Sequence, residues 1–158
     1  MVRSSDKMAN QVEQQLMDNI FRVLQQERFA TFATIDYETG GPNVSAISWV
    51  FARDQKTIYV ACDNRSRIVQ NIIHHDKVVL TTIVNGTTYS ISGSAHVKTE
   101  KLEGVPLKLA LIEITIAEVR DVMFYGSKIS EDIKYEKTYD QKAATKLNQQ
   151  VMAAMKKA

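Results

Sequence analysis

The chain has 158 residues, 44% of them hydrophobic and 24% charged, with 20 lysines and arginines against 18 aspartates and glutamates. That length fits one domain able to bury a core without staples, and a net charge of +2 excludes the broad phosphate-neutralising surface on which nucleic-acid binders depend. One cysteine, Cys62, leaves no intrachain disulfide framework and suits a reducing, cytoplasmic location, while the lack of a signal-peptide core or an apolar run of about 18 residues predicts neither export nor a membrane span.

In chain order, Met8, Val12, Leu16, Ile20, Val23 and Leu24 recur at three- and four-residue intervals. They predict an N-terminal helix over 6–28, capped by Ser5 or Asp6. At Phe29 the period turns to two. Residues 29–35 read as a strand, 36–42 (DYETGGP) as a turn, and 43–52 as one continuous strand with Ser45, Ile47, Trp49 and Phe51 on one face. A polar corner at 53–56 leads to a strand over 57–62, and such short links predict an antiparallel meander.

Next come the corner Asp63-Asn64-Arg65-Ser66-Arg67, an amphipathic helix over 66–75, a strand over 77–84, and Asn85-Gly86. Both turn residues tolerate positive φ, so the pair predicts a tight hairpin into a strand over 87–97. Gly93 interrupts the apolar row of Tyr89, Ile91, Ala95 and Val97; it predicts a bulge, a barrel bend or the close approach of another backbone. Residues 107–124 read as a long strand with a break available at Ala117-Glu118. It is apolar on both faces, so both are covered: one by the barrel interior, the other by a helix or a partner subunit. A polar stretch, 125–139, can reach a ligand or a second subunit, or lie in solvent. Asp140 then caps a C-terminal helix over 140–157, with Ala143, Leu147, Val151 and Met155 at four-residue spacing. The whole reads as one mainly β (α+β) domain, 1–158. About six antiparallel strands over 29–124 form a closed or partly open barrel, with one mid-chain helix and a helix at each end.

The chemistry concentrates at the 63–67 corner. Arg65 and Arg67 can be two solvated loop arginines or a phosphate site, since arginine forks pair bidentately with phosphate oxygens and a helix start capped by Ser66 offers backbone donors to an anion. Cys62 suits a small buried hydrophobe better than a reactive thiol. His74-His75 suit the cation-favouring end of a helix better than a metal, because adjacent residues do not share a helix face. Trp49 can pack in the core or stack on a ring. Thr88, Ser90, Ser92, Ser94 and His96 form a polar strand face for solvent or a wet cleft. The sequence lacks a Ser-His-Asp order, a carboxylate pair and a phosphate-binding glycine loop.

This order of elements, with IYVACDNRSR leading into a helix and ISGSAHV closing a hairpin, resembles the pyridoxamine 5′-phosphate oxidase-like family of FMN-binding split barrels. The resemblance implies a homodimer with FMN in clefts at the subunit interface. It also implies a flavin-dependent oxidoreductase whose small-molecule substrate is unknown. By position, Ala46, Ile47, Ser48 and Trp49 would line the isoalloxazine edge, and Ala61 and Cys62 the ribityl chain and phosphate. Ser66 and Arg67, joined by Arg65, would hold the phosphate, and Thr88 stands where the family has a flavin-contacting glutamine. Ile68 and Ala46 replace two of the family's cations. No catalytic acid or base is assigned. The alternatives are a non-catalytic module that binds flavin or haem for storage or sensing, and a structural dimer that has lost its ligand.

Overall fold

The computed structural model describes residues 12–158. Their sheet elements are β1 (Val12–Glu13), β2 (Ala30–Ile35), β3 (Pro42–Ile47), β4 (Val50–Ala52), β5 (Thr57–Asp63), β6 (Lys77–Val84), β7 (Thr87–Thr99) and β8 (Leu109–Asp121). The helices are α1 (Asp18–Val23), α2 (Arg67–His74) and α3 (Gln141–Lys157). The count exceeds the six or so strands expected from the sequence, because the two-residue β1 and the three-residue β4 add to six longer ones.

The strands run antiparallel in the order β3-β2-β6-β7-β8-β5-β4, and β1 pairs with β8. The two ends of that path, β3 and β4, are joined only by Ser48 and Trp49. A two-residue link cannot cross a flat seven-strand sheet, so the sheet curls until its edges nearly meet. The product is a barrel split along the β3/β4 seam.

Here the expected single strand over 43–52, and the meander built on it, need correction. The Val50 N–H turns back to the Ser48 carbonyl, which also accepts from Arg28 N, and Trp49 O accepts from Ala61 N. The chain therefore leaves the β2 edge of the sheet and joins β5 on the other. Alternation alone carries no sign of that exchange.

The N-terminal helix is also shorter than expected. Its 6–11 portion lies outside the described residues, and the remainder forms β1 and one short helix. Leu16, Ile20 and Leu24 are buried as their spacing demands. Leu16 N, however, donates to Gln55 O, and Leu24 O accepts from Ala52 N. These backbone groups bond to the neighbouring hairpin in place of further helical turns.

The 109–121 strand is covered on both faces, as predicted. Ala110, Ile112, Ile114 and Ile116 point into the barrel core. Leu109 and Leu111 join Phe51, Tyr59 and Ala61 in a second core beneath Val151, Met152 and Met155 of α3. The second cover is thus the chain's own C-terminal helix, whose Asp140 side chain accepts from Ala143 N at 2.8 Å. Within α3 the buried alanine is Ala144 and not Ala143. At Ala117-Glu118 the strand does not break. Ser92 pairs with Glu118 and Gly93 with Ile116, so Ala117 is the extra residue of a bulge. The Asn85-Gly86 hairpin forms as expected, with φ of 52° and 79°.

Candidate functional site

The corner lies at the end of β5. Cys62 pairs with Ala110, then the chain turns through Asp63–Ser66 and enters α2. Asp63 Oδ1 accepts from Arg65 N at 2.8 Å, and Asn64 N donates to Lys108 O at 3.0 Å. The corner is therefore tied both to itself and to the start of β8. Helix α2 forms because Ile68, Val69 and Ile72 bury one stripe against the barrel mouth.

Ser66 takes the N-cap position, but its hydroxyl does not cap the helix. It contacts Cys62 Sγ at 3.7 Å. The first-turn N–H groups of α2 consequently have no side-chain acceptor among the described residues, an arrangement that suits an anion. Cys62 is 9% exposed, and burial pushes its thiol pKa up to about 11. It stays protonated at neutral pH, as a small hydrophobe would.

Arg65 and Arg67 diverge on either side of Ser66. Arg67 Nη1 donates to Asp36 Oδ2 at 2.7 Å, Nη2 lies 3.8 Å from Glu38 Oε1, and the guanidinium carbon sits 5.3 Å from the centre of the Tyr37 ring. Arg65 turns the other way, into a groove it shares with Lys108. The β2–β3 turn that receives Arg67 is built around Asp36, whose Oδ1 accepts from the Glu38 and Thr39 N–H groups. Those two backbone donors, with help from Arg67, hold the Asp36 carboxyl below its ordinary value of 3.8.

A depressed folded-state pKa contributes stability that is complete above the unfolded value and is lost as pH falls through the folded one. Thermal melts should therefore show a gap between the native chain and Asp36→Asn that is constant above about pH 5 and closes in more acid solution. A gap that persists unchanged down to about pH 2 would contradict this assignment.

Asn71, fully buried among the apolar residues of α2, completes the corner. Its Nδ2 donates to Thr34 Oγ1 at 2.9 Å and to Asn43 Oδ1 at 2.8 Å, while its Oδ1 accepts from Tyr37 N at 2.9 Å. Both amide N–H donors and the carbonyl oxygen are engaged, which locks α2 to the β2–β3 turn. His74 stacks on Tyr37 with ring centres 5.5 Å apart, and its Nδ1 donates to Gln70 O at 2.8 Å. Among the described residues no three His, Cys, Asp or Glu side chains cluster as metal ligands, and no helix is long and apolar enough to cross a membrane.

The remaining candidates are dispersed. Ala46 is exposed on the β3 edge, while Ile47 packs against the barrel core. Ser48 and Trp49 form the seam, and Ala61 is buried in the outer core. Trp49 packs against that outer core too, and its buried Nε1 has no acceptor among the described residues. Thr88 is not beside the corner. It begins β7, whose other end approaches the corner at Val97, so roughly 30 Å of strand lies between them at ~3.3 Å per residue.

The 125–139 segment folds back on the barrel's far end. Ile129 N donates to Gly86 O, Arg28 forms a two-pronged pair with Asp132 and also donates to the Ile83 carbonyl, and Tyr135 and Lys137 both donate to Glu27. Sequence reasoning missed Asp36, Asn71 and Lys108 as parts of the corner. For Asn71 a signal existed, since it is a polar side chain beside the buried stripe of α2.

A family model described as pyridoxamine 5′-phosphate oxidase matches residues 16–123, from α1 through β8. Among solved structures, a putative pyridoxamine 5′-phosphate oxidase from Lactobacillus delbrueckii superposes with a TM-score of 0.58 at 17% identity, covering 68% of this chain and 94% of that one. HupZ from Group A Streptococcus gives 0.57 at 16% identity, covering 73% of this chain and 100% of that one. HutZ, the haem storage protein of Vibrio cholerae, gives 0.51 at 14% identity, covering 65% and 91% respectively. At such identities the likeness establishes the fold. No curated protein sequence matches the chain.

Proposed function

Since the chain belongs to the pyridoxamine 5′-phosphate oxidase family, we propose that it binds FMN and acts as a flavin-dependent oxidoreductase on a small molecule. The observation that carries this reading is the corner. The N-terminus of α2 has no side-chain cap, Ser66 stands at it, and a half-exposed Arg67 lies beside it. Two of the residue types expected to receive a phosphate are therefore present at the matched position. Ile68, in the family's lysine position, is buried in the barrel core and supplies no charge. The phosphate would depend on Arg67, Ser66 and backbone donors, since Arg65 turns away from them towards Lys108.

Bound flavin would supply two-electron chemistry that no side-chain set in this chain provides. The protein's share is position and polarity. The Ser48-Trp49 seam and the Ala61-Cys62 strand end would flank the ring and the ribityl chain. Cys62, held neutral by burial, would contribute shape and not nucleophilicity. Thr88, at the far end of β7, can meet the same cofactor only from a second copy of the chain, so the reading includes a homodimer with interfacial clefts.

The test is the visible spectrum of the purified protein, recorded again after FMN titration alongside sedimentation analysis. Absorbance at about 450 nm with quenched flavin fluorescence, on a species of twice the chain mass, is expected. Failure to bind FMN at about 50 µM would sink the flavin reading. A Soret band would move the assignment to a haem-binding module of storage or sensing type. Bound flavin inert towards NAD(P)H and oxygen would leave a non-catalytic flavin module.

A further inference from the structure

On the side of α2 away from Arg67 lies a groove of about 550 Å³, within the size range of small-molecule sites. Its floor is apolar: Val69 from α2, Val97 from β7 and Ala110 from β8. Ile73 extends that surface outward and is 62% exposed, an apolar side chain left open among the described residues. Arg65 and Lys108 stand at one end. They are brought together by the hydrogen bond from Asn64 N to Lys108 O at 3.0 Å. Neither side chain has an acidic partner among the described residues. Two neighbouring cations fixed on tied backbones repel each other until an anion lies between them. Glu100 closes the rim, its backbone carbonyl accepting from Asn64 Nδ2 at 3.2 Å. Its carboxylate reduces the net charge of the groove to +1, which matches a monoanion.

We propose that this groove is a second ligand site, taking a small amphipathic monoanion. A carboxylate would sit between Arg65 and Lys108, and an aliphatic or aromatic body would lie along Val69, Val97 and Ile73. The site goes beyond the flavin reading. It uses the opposite flank of α2 and stands whether or not FMN binds.

Octanoate is a suitable probe, read by amide chemical-shift changes in the full chain with and without saturating FMN. Saturable shifts are expected at Val69, Ile73, Val97 and Lys108, with a Kd of about 1 mM or tighter for so small a ligand. Octanamide, the neutral isostere, should bind at least about 10-fold more weakly, the difference a charge-assisted contact makes. Lys108→Glu and Ile73→Glu should each weaken octanoate by a similar factor, and Ile73→Glu, which lies outside the corner, should leave FMN binding unchanged. Three outcomes overturn the proposal. In the first, octanamide binds as tightly as octanoate. In the second, inorganic phosphate produces the same shifts at the same concentration, which would mean an anion site with no use for its apolar wall. In the third, saturating FMN abolishes the octanoate shifts, which would make the groove part of the cofactor site. If the chain takes no FMN at all, the flavin-free titration still decides the matter.

Discussion

Replacing Gly93 by alanine should destabilise the fold by about 3 kcal/mol, the upper part of the range for overpacking a well-packed site. Gly93 faces the barrel core between Ile91 and Ala95, where any other residue would direct a side chain inward. A Cβ built there would overlap the Thr115 carbonyl oxygen and lie 3.2 Å from Ile116 Cα, both on β8. The obstruction is backbone, so no side chain can rotate away. Either the two longest strands separate, or the bulge at Ala117 slips and moves the β8 side chains on one side of it to the opposite face. Thermal unfolding should show a midpoint lowered by roughly 6–12 °C, at the ~2–4 °C per kcal/mol usual for this chain length. Gly41→Ala is the control, since its added carbon meets only Thr39 Oγ1 at 3.4 Å. Equal and small effects at both positions would show that the β7/β8 contact is not tight in solution.

Gly93 also shows what the sequence made legible. Features set by local pattern were readable: the Asn85-Gly86 turn, the α2 stripe of Ile68, Val69 and Ile72, and the strand with apolar residues on both faces. Features set by exchange between distant segments were not. Ser48 and Trp49 keep the alternation of the strands around them, and only closure of the barrel decides that they form the seam. Leu16, Ile20 and Leu24 keep helical spacing, yet their backbone ends are claimed by Gln55 and Ala52. The same division holds at the corner. Ser66 and the two arginines are contiguous and could be found. Asp36, which claims Arg67, lies 31 residues away and reads locally as an ordinary turn aspartate. Lys108 comes after a polar link and carries no pattern at all. Its place beside Arg65 depends on one backbone hydrogen bond.

The Asp36–Arg67 pair leads to the sharpest test of the flavin reading. Arg67→Ala should weaken FMN by about 10- to 100-fold, equivalent to about 1.4–2.8 kcal/mol and typical of a lost charge-assisted hydrogen bond. Riboflavin, which lacks the phosphate, should bind within about threefold of its affinity for the native chain. The Asp36 carboxylate competes with a phosphate for the same guanidinium and adds negative charge beside it. Asp36→Asn removes that charge yet keeps an acceptor oxygen for the Glu38 and Thr39 N–H groups, so the turn survives. It should therefore tighten FMN severalfold. The two substitutions thus move FMN affinity in opposite directions if Arg67 is a phosphate ligand that the β2–β3 turn partly sequesters. If instead both weaken FMN and riboflavin alike, the pair is a strut holding α2 to the turn, and the phosphate must be held elsewhere on the corner.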